Sequence, residues 1–178
     1  RVPGVEPDAV EIRVLGCLIE KQRTTPDAYP LSLNALRVAC NQATNRDPVV
    51  DYDETTVREA TLRLGPRRWT RQVSRGRTPK YRHTLDEALN LAPDEISVLC
   101  VLMLRGPQTP GELKQRTARL FDFADLADLQ GTLDRLEERG YAETLPRRPG
   151  QKEARHRQLI GGDEVREERH AGEPAADD

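Results

Sequence analysis

"EIRVLGCLIEKQRTTP", residues 11–26, returns 84 residues later as "EISVLCVLMLRGPQTP", residues 95–110. Aligned without a gap, Glu11/Glu95, Ile12/Ile96, Val14/Val98, Leu15/Leu99, Leu18/Leu102, Thr25/Thr109 and Pro26/Pro110 are identical. Val14, Leu15, Leu18 and Ile19 follow helical spacing, and Thr24, Thr25 and Pro26 stop the helix. The period is too long for the common helical solenoids and there are only two copies. The passage therefore reads as the opening helix of a duplicated domain.

The residues after each copy run in the same order. Tyr29 and Pro30 break the chain, Ser32 caps a second helix with Leu33, Leu36, Ala39 and Cys40 inward, and residues 41–48 form a polar loop. Asp53 caps a third helix carrying Val57, Ala60, Thr61 and Leu64, closed by Gly65 and Pro66. Residues 69–74 and 80–84 alternate as strands around a turn at 75–77. In the second copy the spacing predicts helices over 95–105, over 110–120 behind a Thr109 cap, and over 123–139. Leu126, Leu129, Leu133 and Leu136 share one face of the last. Residues 141–145 and 155–160 make the closing hairpin, and "RHRQ" at 155–158 echoes "KYRH" at 80–83. Three helices closed by a ribbon, twice over, is the layout of two tandem winged helix-turn-helix domains. The fold class is α+β, mostly α, with domains at 8–90 and 91–162. The remaining residues, 163–178, read as a disordered acidic tail.

Charged residues make up 33% of the 178 and aromatics only 4%, so the cores rest on Leu, Val, Ile and Ala. The net charge of −2 conceals a gradient. Residues 1–90 carry 15 basic against 12 acidic side chains, 91–162 carry 11 of each, and 163–178 carry two against seven. The two domains together carry about +3, which permits a polyanion partner without demanding one, and the tail carries −5. Cys17, Cys40 and Cys100 lie in apolar helical runs and read as buried small hydrophobes of a reducing, cytoplasmic compartment. No apolar run reaches the ~18 residues of a membrane span. No signal peptide is recognised at the start. His83, His156 and His170 have no nucleophile or acid set beside them, and no phosphate-binding glycine loop is present. Neither an enzyme nor a cofactor or metal site is expected.

Three longer stretches carry a resemblance: "LGCLIEKQRTTPDAYPLSLNALRVACNQATNRDP" (15–48), "LRGPQTPGEL" (104–113) and "LPRRPGQKEAR" (145–155). They resemble the YceH-like family of bacterial proteins, over about residues 11–161. The resemblance implies tandem winged helices in a bacterial cytoplasm, and DNA binding by analogy of fold alone. Two places depart from the family pattern: Ala43–Thr44 where Lys–Ser is expected, and His156 and Gln158 in the second hairpin.

In a helix-turn-helix the third helix reads the major groove with its outward side chains. Here those are Thr55, Thr56, Arg58, Glu59 and Arg63. Beyond them Arg63, Arg67, Arg68, Arg71, Arg75, Arg77, Lys80 and Arg82 form a run with no acidic residue between Glu59 and Asp86. Such a run suits the phosphate backbone. Asn45 and Arg46 are types that read adenine and guanine edges. Polar residues in such a loop also cap and turn the chain, and Arg46 with Asp47 is a candidate internal ion pair. The second copy's third helix carries Asp122, Asp125, Asp128, Asp134, Glu137 and Glu138 against Arg135 and Arg139. Like charge repels phosphate over a Debye length of about 10 Å, so that helix suits a protein partner or a second copy of the chain. Its hairpin is basic again through Arg147, Arg148, Lys152, Arg155 and Arg157. The expected function is a regulatory protein that binds double-stranded DNA through its first domain and a partner or homodimer mate through its second. A protein–protein adaptor that never touches DNA is the alternative.

Overall fold

A computed structural model of the chain describes residues 6–74 and 76–161, so the acidic tail and Arg75 lie outside the described residues. Five of the described helices start where a small polar side chain satisfies one of their first free N–H groups. Asp8 accepts from Glu11 N (2.9 Å) at the head of α1 (Ala9–Thr24), and Ser32 accepts from Ala35 N (3.2 Å) at α2 (Leu33–Cys40). Asp53 accepts from Thr56 N (2.7 Å) at α3 (Glu54–Leu64). α3 buries Val57, Ala60, Thr61 and Leu64, the face expected from its spacing.

β1 (Leu31–Ser32), β2 (Thr70–Ser74) and β3 (Pro79–His83) form an antiparallel sheet in the order β1-β3-β2. Leu31 lies opposite Tyr81, and Thr70 opposite His83. A short helix, α4 (Leu85–Leu89), then leads to α5 (Pro93–Arg105). α6 (Pro110–Thr117) opens on a reciprocal Thr109–Glu112 cap, and α7 (Leu126–Glu138) on Asp125. β4 (Ala142–Thr144) and β5 (His156–Gln158) pair antiparallel, and Gln108 bridges to His156. Gln108 stands just before the cap of α6, as Leu31 stands just before the cap of α2. Both halves therefore add the same outer pairing to the returning strand, a contact too short to show as a strand pattern in sequence.

Three expectations need correction. α7 begins at Leu126, because the Asp125 cap sets its start. Leu126 is consequently half exposed rather than inward. Phe123 precedes the helix and is buried against Phe121, with ring centroids 4.8 Å apart. α6 stops at Thr117 rather than running to 120.

The two repeat helices pack against each other. Residues 11–20 of α1 and 95–104 of α5 are buried on all sides, as befits helices at the centre of a fold. Their close approach depends on Gly16, since a Cβ there would lie 2.7 Å from Leu104 Cδ2. At the same crossing the Cys100 thiol donates to Gly16 O at 3.3 Å, and positions 16 and 100 are repeat equivalents. One contiguous apolar cluster runs from Ile12 and Leu36 through Val57 and Leu99 to Leu129 and Ile160, crossing the boundary between the halves. Among the described residues no helix is long and apolar enough to cross a membrane.

Candidate nucleic-acid interface

The polar loop after α2 turns inward. Arg46 is buried and uses four nitrogen contacts at once: Nε to Ala39 O (3.1 Å), Nη1 to Asn45 O (2.8 Å) and Glu20 Oε2 (3.0 Å), and Nη2 to Glu20 Oε1 (2.8 Å). The partner of Arg46 is thus Glu20, 26 residues upstream on α1 and itself buried. Burial alone would raise the Glu20 carboxyl, but the Arg46 fork holds it below the usual range. Arg13 donates to Cys40 O (2.9 Å) and Pro48 O, and Asn41 exchanges two hydrogen bonds with the backbone of Tyr52. Asp47 N donates to Leu104 O (2.9 Å), satisfying a carbonyl in the last turn of α5. Asn45, at φ 57°, accepts from Arg105 Nη1 at 3.3 Å. Arg46 is therefore withdrawn as a base reader: its guanidinium is consumed inside. Asn45 faces the second half rather than α3.

The run on α3 and its hairpin divides in two. Arg63 bonds Glu11 (3.0 Å) and Asp8 (3.1 Å), and Arg67 lies 3.9 Å from Glu11 and 5.4 Å from the Trp69 ring centroid. Arg82 is 3.7 Å from Glu87. The stretch looked free of acid because its counterions come from α1, more than 50 residues upstream, and from α4. By contrast Arg58, Arg68, Arg71, Arg77 and Lys80 are exposed and form no ion pair among the described residues. Arg58 stands on α3 beside Glu54 and Glu59. Arg71 and Lys80 lie on the paired strands, and Arg77 precedes β3. Arg75 lies outside the described residues.

The second half repeats the inner construction of this site. Trp69 N donates to Leu64 O (3.4 Å) and Tyr141 N to Leu136 O (2.9 Å), which sets the two third helices in register 72 residues apart. Arg63 then matches Arg135, which pairs with Asp94, and Arg67 matches Arg139, 3.2 Å from Glu95. Arg139 lies 5.2 Å from the Tyr141 ring centroid, as Arg67 lies over Trp69. The identity of Glu11 and Glu95 now has a cause: each is a buried carboxylate that holds the arginine at the base of a hairpin. Outward, α7 presents Asp128, Gln130 and Asp134 where α3 presents Thr56, Arg58 and Leu62.

The molecule is thus a duplicated three-helix-and-hairpin protein with one basic and one acidic outer face. It belongs to the bacterial family described as "Protein of unknown function, DUF480", whose model matches residues 8–151. It is 53% identical to a UPF0502 protein of Solibacter usitatus over 163 residues, 90% of this chain and 79% of that one. A UPF0502 protein of Geotalea uraniireducens is 51% identical over 157 residues, covering 86% and 72% of the two chains. One of Pectobacterium atrosepticum is 44% identical over 165 residues, covering 88% and 78%.

Proposed function

We propose that the chain is a cytoplasmic regulatory protein whose two halves are winged helix-turn-helix units, the first of which binds double-stranded DNA. The observation that carries this reading is the set of exposed cations Arg58, Arg68, Arg71, Arg77 and Lys80 on α3 and the first hairpin, which form no ion pair among the described residues. An outward helix beside a basic ribbon meets a groove and its flanking phosphates together. The acidic face of α7 supports a protein partner or a second copy of the chain as what the second unit meets. The link between α2 and α3 exceeds the 3–4 residues of a tight helix-turn-helix, and the Arg46–Glu20 bolt compensates by fixing it.

Duplex binding measured across salt concentrations tests the reading. Replacing Arg71, Arg77 and Lys80 with Ala is expected to weaken binding to every sequence and to shrink the log–log salt slope by about 0.9 per lost contact. Asp128→Asn with Asp134→Asn should leave affinity unchanged. No duplex binding at physiological ionic strength would overturn it in favour of an adaptor. That second reading has its own support, because three large apolar side chains on the first half, Val38, Val49 and Leu62, are more than half exposed.

A further inference from the structure

Where the halves meet, a cleft of about 770 Å³ opens between the bases of the two hairpins. Its walls are the two equivalent pairs: Arg67 with Trp69 from the first half, and Arg139 with Tyr141 from the second. Both rings are half-buried, and among the described residues neither stacks on another ring. Each guanidinium is steadied from behind by the repeated glutamate, and Arg139 also donates to Leu89 O. Leu89 and Ile160 supply apolar lining.

The volume falls within the roughly 300–1,000 Å³ of small-molecule sites. Aromatic faces and guanidinium planes favour a flat π-system over an aliphatic chain of equal size. At the walls of the cleft the guanidinium groups of Arg67, Arg139 and Arg157 offer N–H donors to a carboxylate, while Glu143 pairs with Arg157 and Glu11 and Glu95 lie behind the other two. We propose that this cleft binds a planar aromatic monoanion, such as an aromatic carboxylate, its ring between the Arg67–Trp69 and Arg139–Tyr141 pairs. Occupancy bridges the two halves, so the ligand ties the basic hairpin to the acidic unit.

Trp69 is the sole tryptophan of the chain, so its emission reports on the cleft directly. The full chain is titrated with benzoate and, separately, with cyclohexanecarboxylate, an acid of the same charge and similar size without the ring. A saturable change in Trp69 emission is expected with benzoate. The response to cyclohexanecarboxylate should be about fivefold weaker, the equivalent of ~1 kcal/mol of aromatic contact. Tyr141→Leu should weaken benzoate by a similar factor while leaving the melting temperature close to that of the parent chain. Equal responses to the two acids overturn the proposal. So does an unchanged titration in Tyr141→Leu, or no saturation by about 10 mM, where even a millimolar site fills. The acid pair on the parent chain decides the matter if that variant fails to fold. No nucleic acid is present, so this result and that of the duplex titration stand or fall separately.

Discussion

α3 and α7 are the same helix inside and different helices outside. Toward the core, Val57, Ala60, Thr61 and Leu64 correspond to Leu129, Thr132, Leu133 and Leu136, all buried. At the rim, Arg63 and Arg67 correspond to Arg135 and Arg139, each tied to an acid near the head of its own first helix. Toward solvent, Arg58 becomes Gln130 and Leu62 becomes Asp134, whose carboxylate accepts from Gln130 Nε2 at 2.9 Å. Packing constrains the inner and rim positions through volume and buried charge, whereas solvent-facing positions cost little to vary. The outer faces are thus where the two copies are free to differ on one scaffold.

The largest effect is expected at the Arg46–Glu20 bolt of the first half, beside the loop that also reaches α5. Arg46→Ala or Glu20→Ala leaves an uncompensated buried charge and should cost about 3–5 kcal/mol in denaturant unfolding. Both halves should unfold in a single transition, because the loop touches α1 and α5 at once. Separate transitions for the two halves would instead make them independent domains.

Acid should separate the copies next. Burial pushes His83 from the usual 6.5 down to about 4, against the partial pull of Asp86 and with Arg82 and Arg23 nearby. Its Nδ1 accepts from Leu85 N, so Nε2–H donates to Gln22 Oε1 and the ring is neutral. Between these values the unfolded chain binds more protons than the folded one. Stability is then complete above about pH 6.5 and falls as pH drops toward 4, by on the order of 3 kcal/mol. The counterpart in the second hairpin is Gln158, which does not titrate. His83→Gln should flatten the acid limb of a stability–pH profile, and an unchanged limb would put the sensitive group elsewhere.

At the helix crossing, Gly16→Ala should cost about 1–3 kcal/mol, since its methyl meets Leu104. Cys100→Ala removes only a weak thiol hydrogen bond and a little volume, so a smaller loss is expected in the same melt. Leu62→Asp, which copies the α7 face onto α3, should change stability by less than about 0.5 kcal/mol. Duplex affinity should fall with it, because a carboxylate then faces phosphate. Unchanged affinity would remove the outer face of α3 from the DNA reading.

Local signals located most of the elements. The Ser32, Asp53 and Thr109 caps, the glycine and proline stops and the turn between β2 and β3 act within a few residues, so spacing reveals them. α4 and the outer strand pairings were missed because five-residue and two-residue elements leave no period to read. Among the candidate site residues, Arg58, Arg68, Arg71, Arg77 and Lys80 are exposed as expected, while Arg46 is buried and Arg63 and Arg67 are paired. The gathering of Arg105, Arg116 and Arg119 beside Asn45 and Glu20 leaves no run in the sequence, because the fold joins it from both halves of the chain.

The sequence by itself determined the duplication, the order of three helices and a hairpin in each copy, and the inward faces of the helices. Those follow from periodicity and capping, which are local. Only the tertiary structure decided that α1 and α5 meet at Gly16, and that one core serves both copies. It also decided which cations are taken up by internal acids. Charges pair by distance in space rather than along the chain, so Glu11 reaches Arg63 across 52 residues and Glu20 reaches Arg46 across 26.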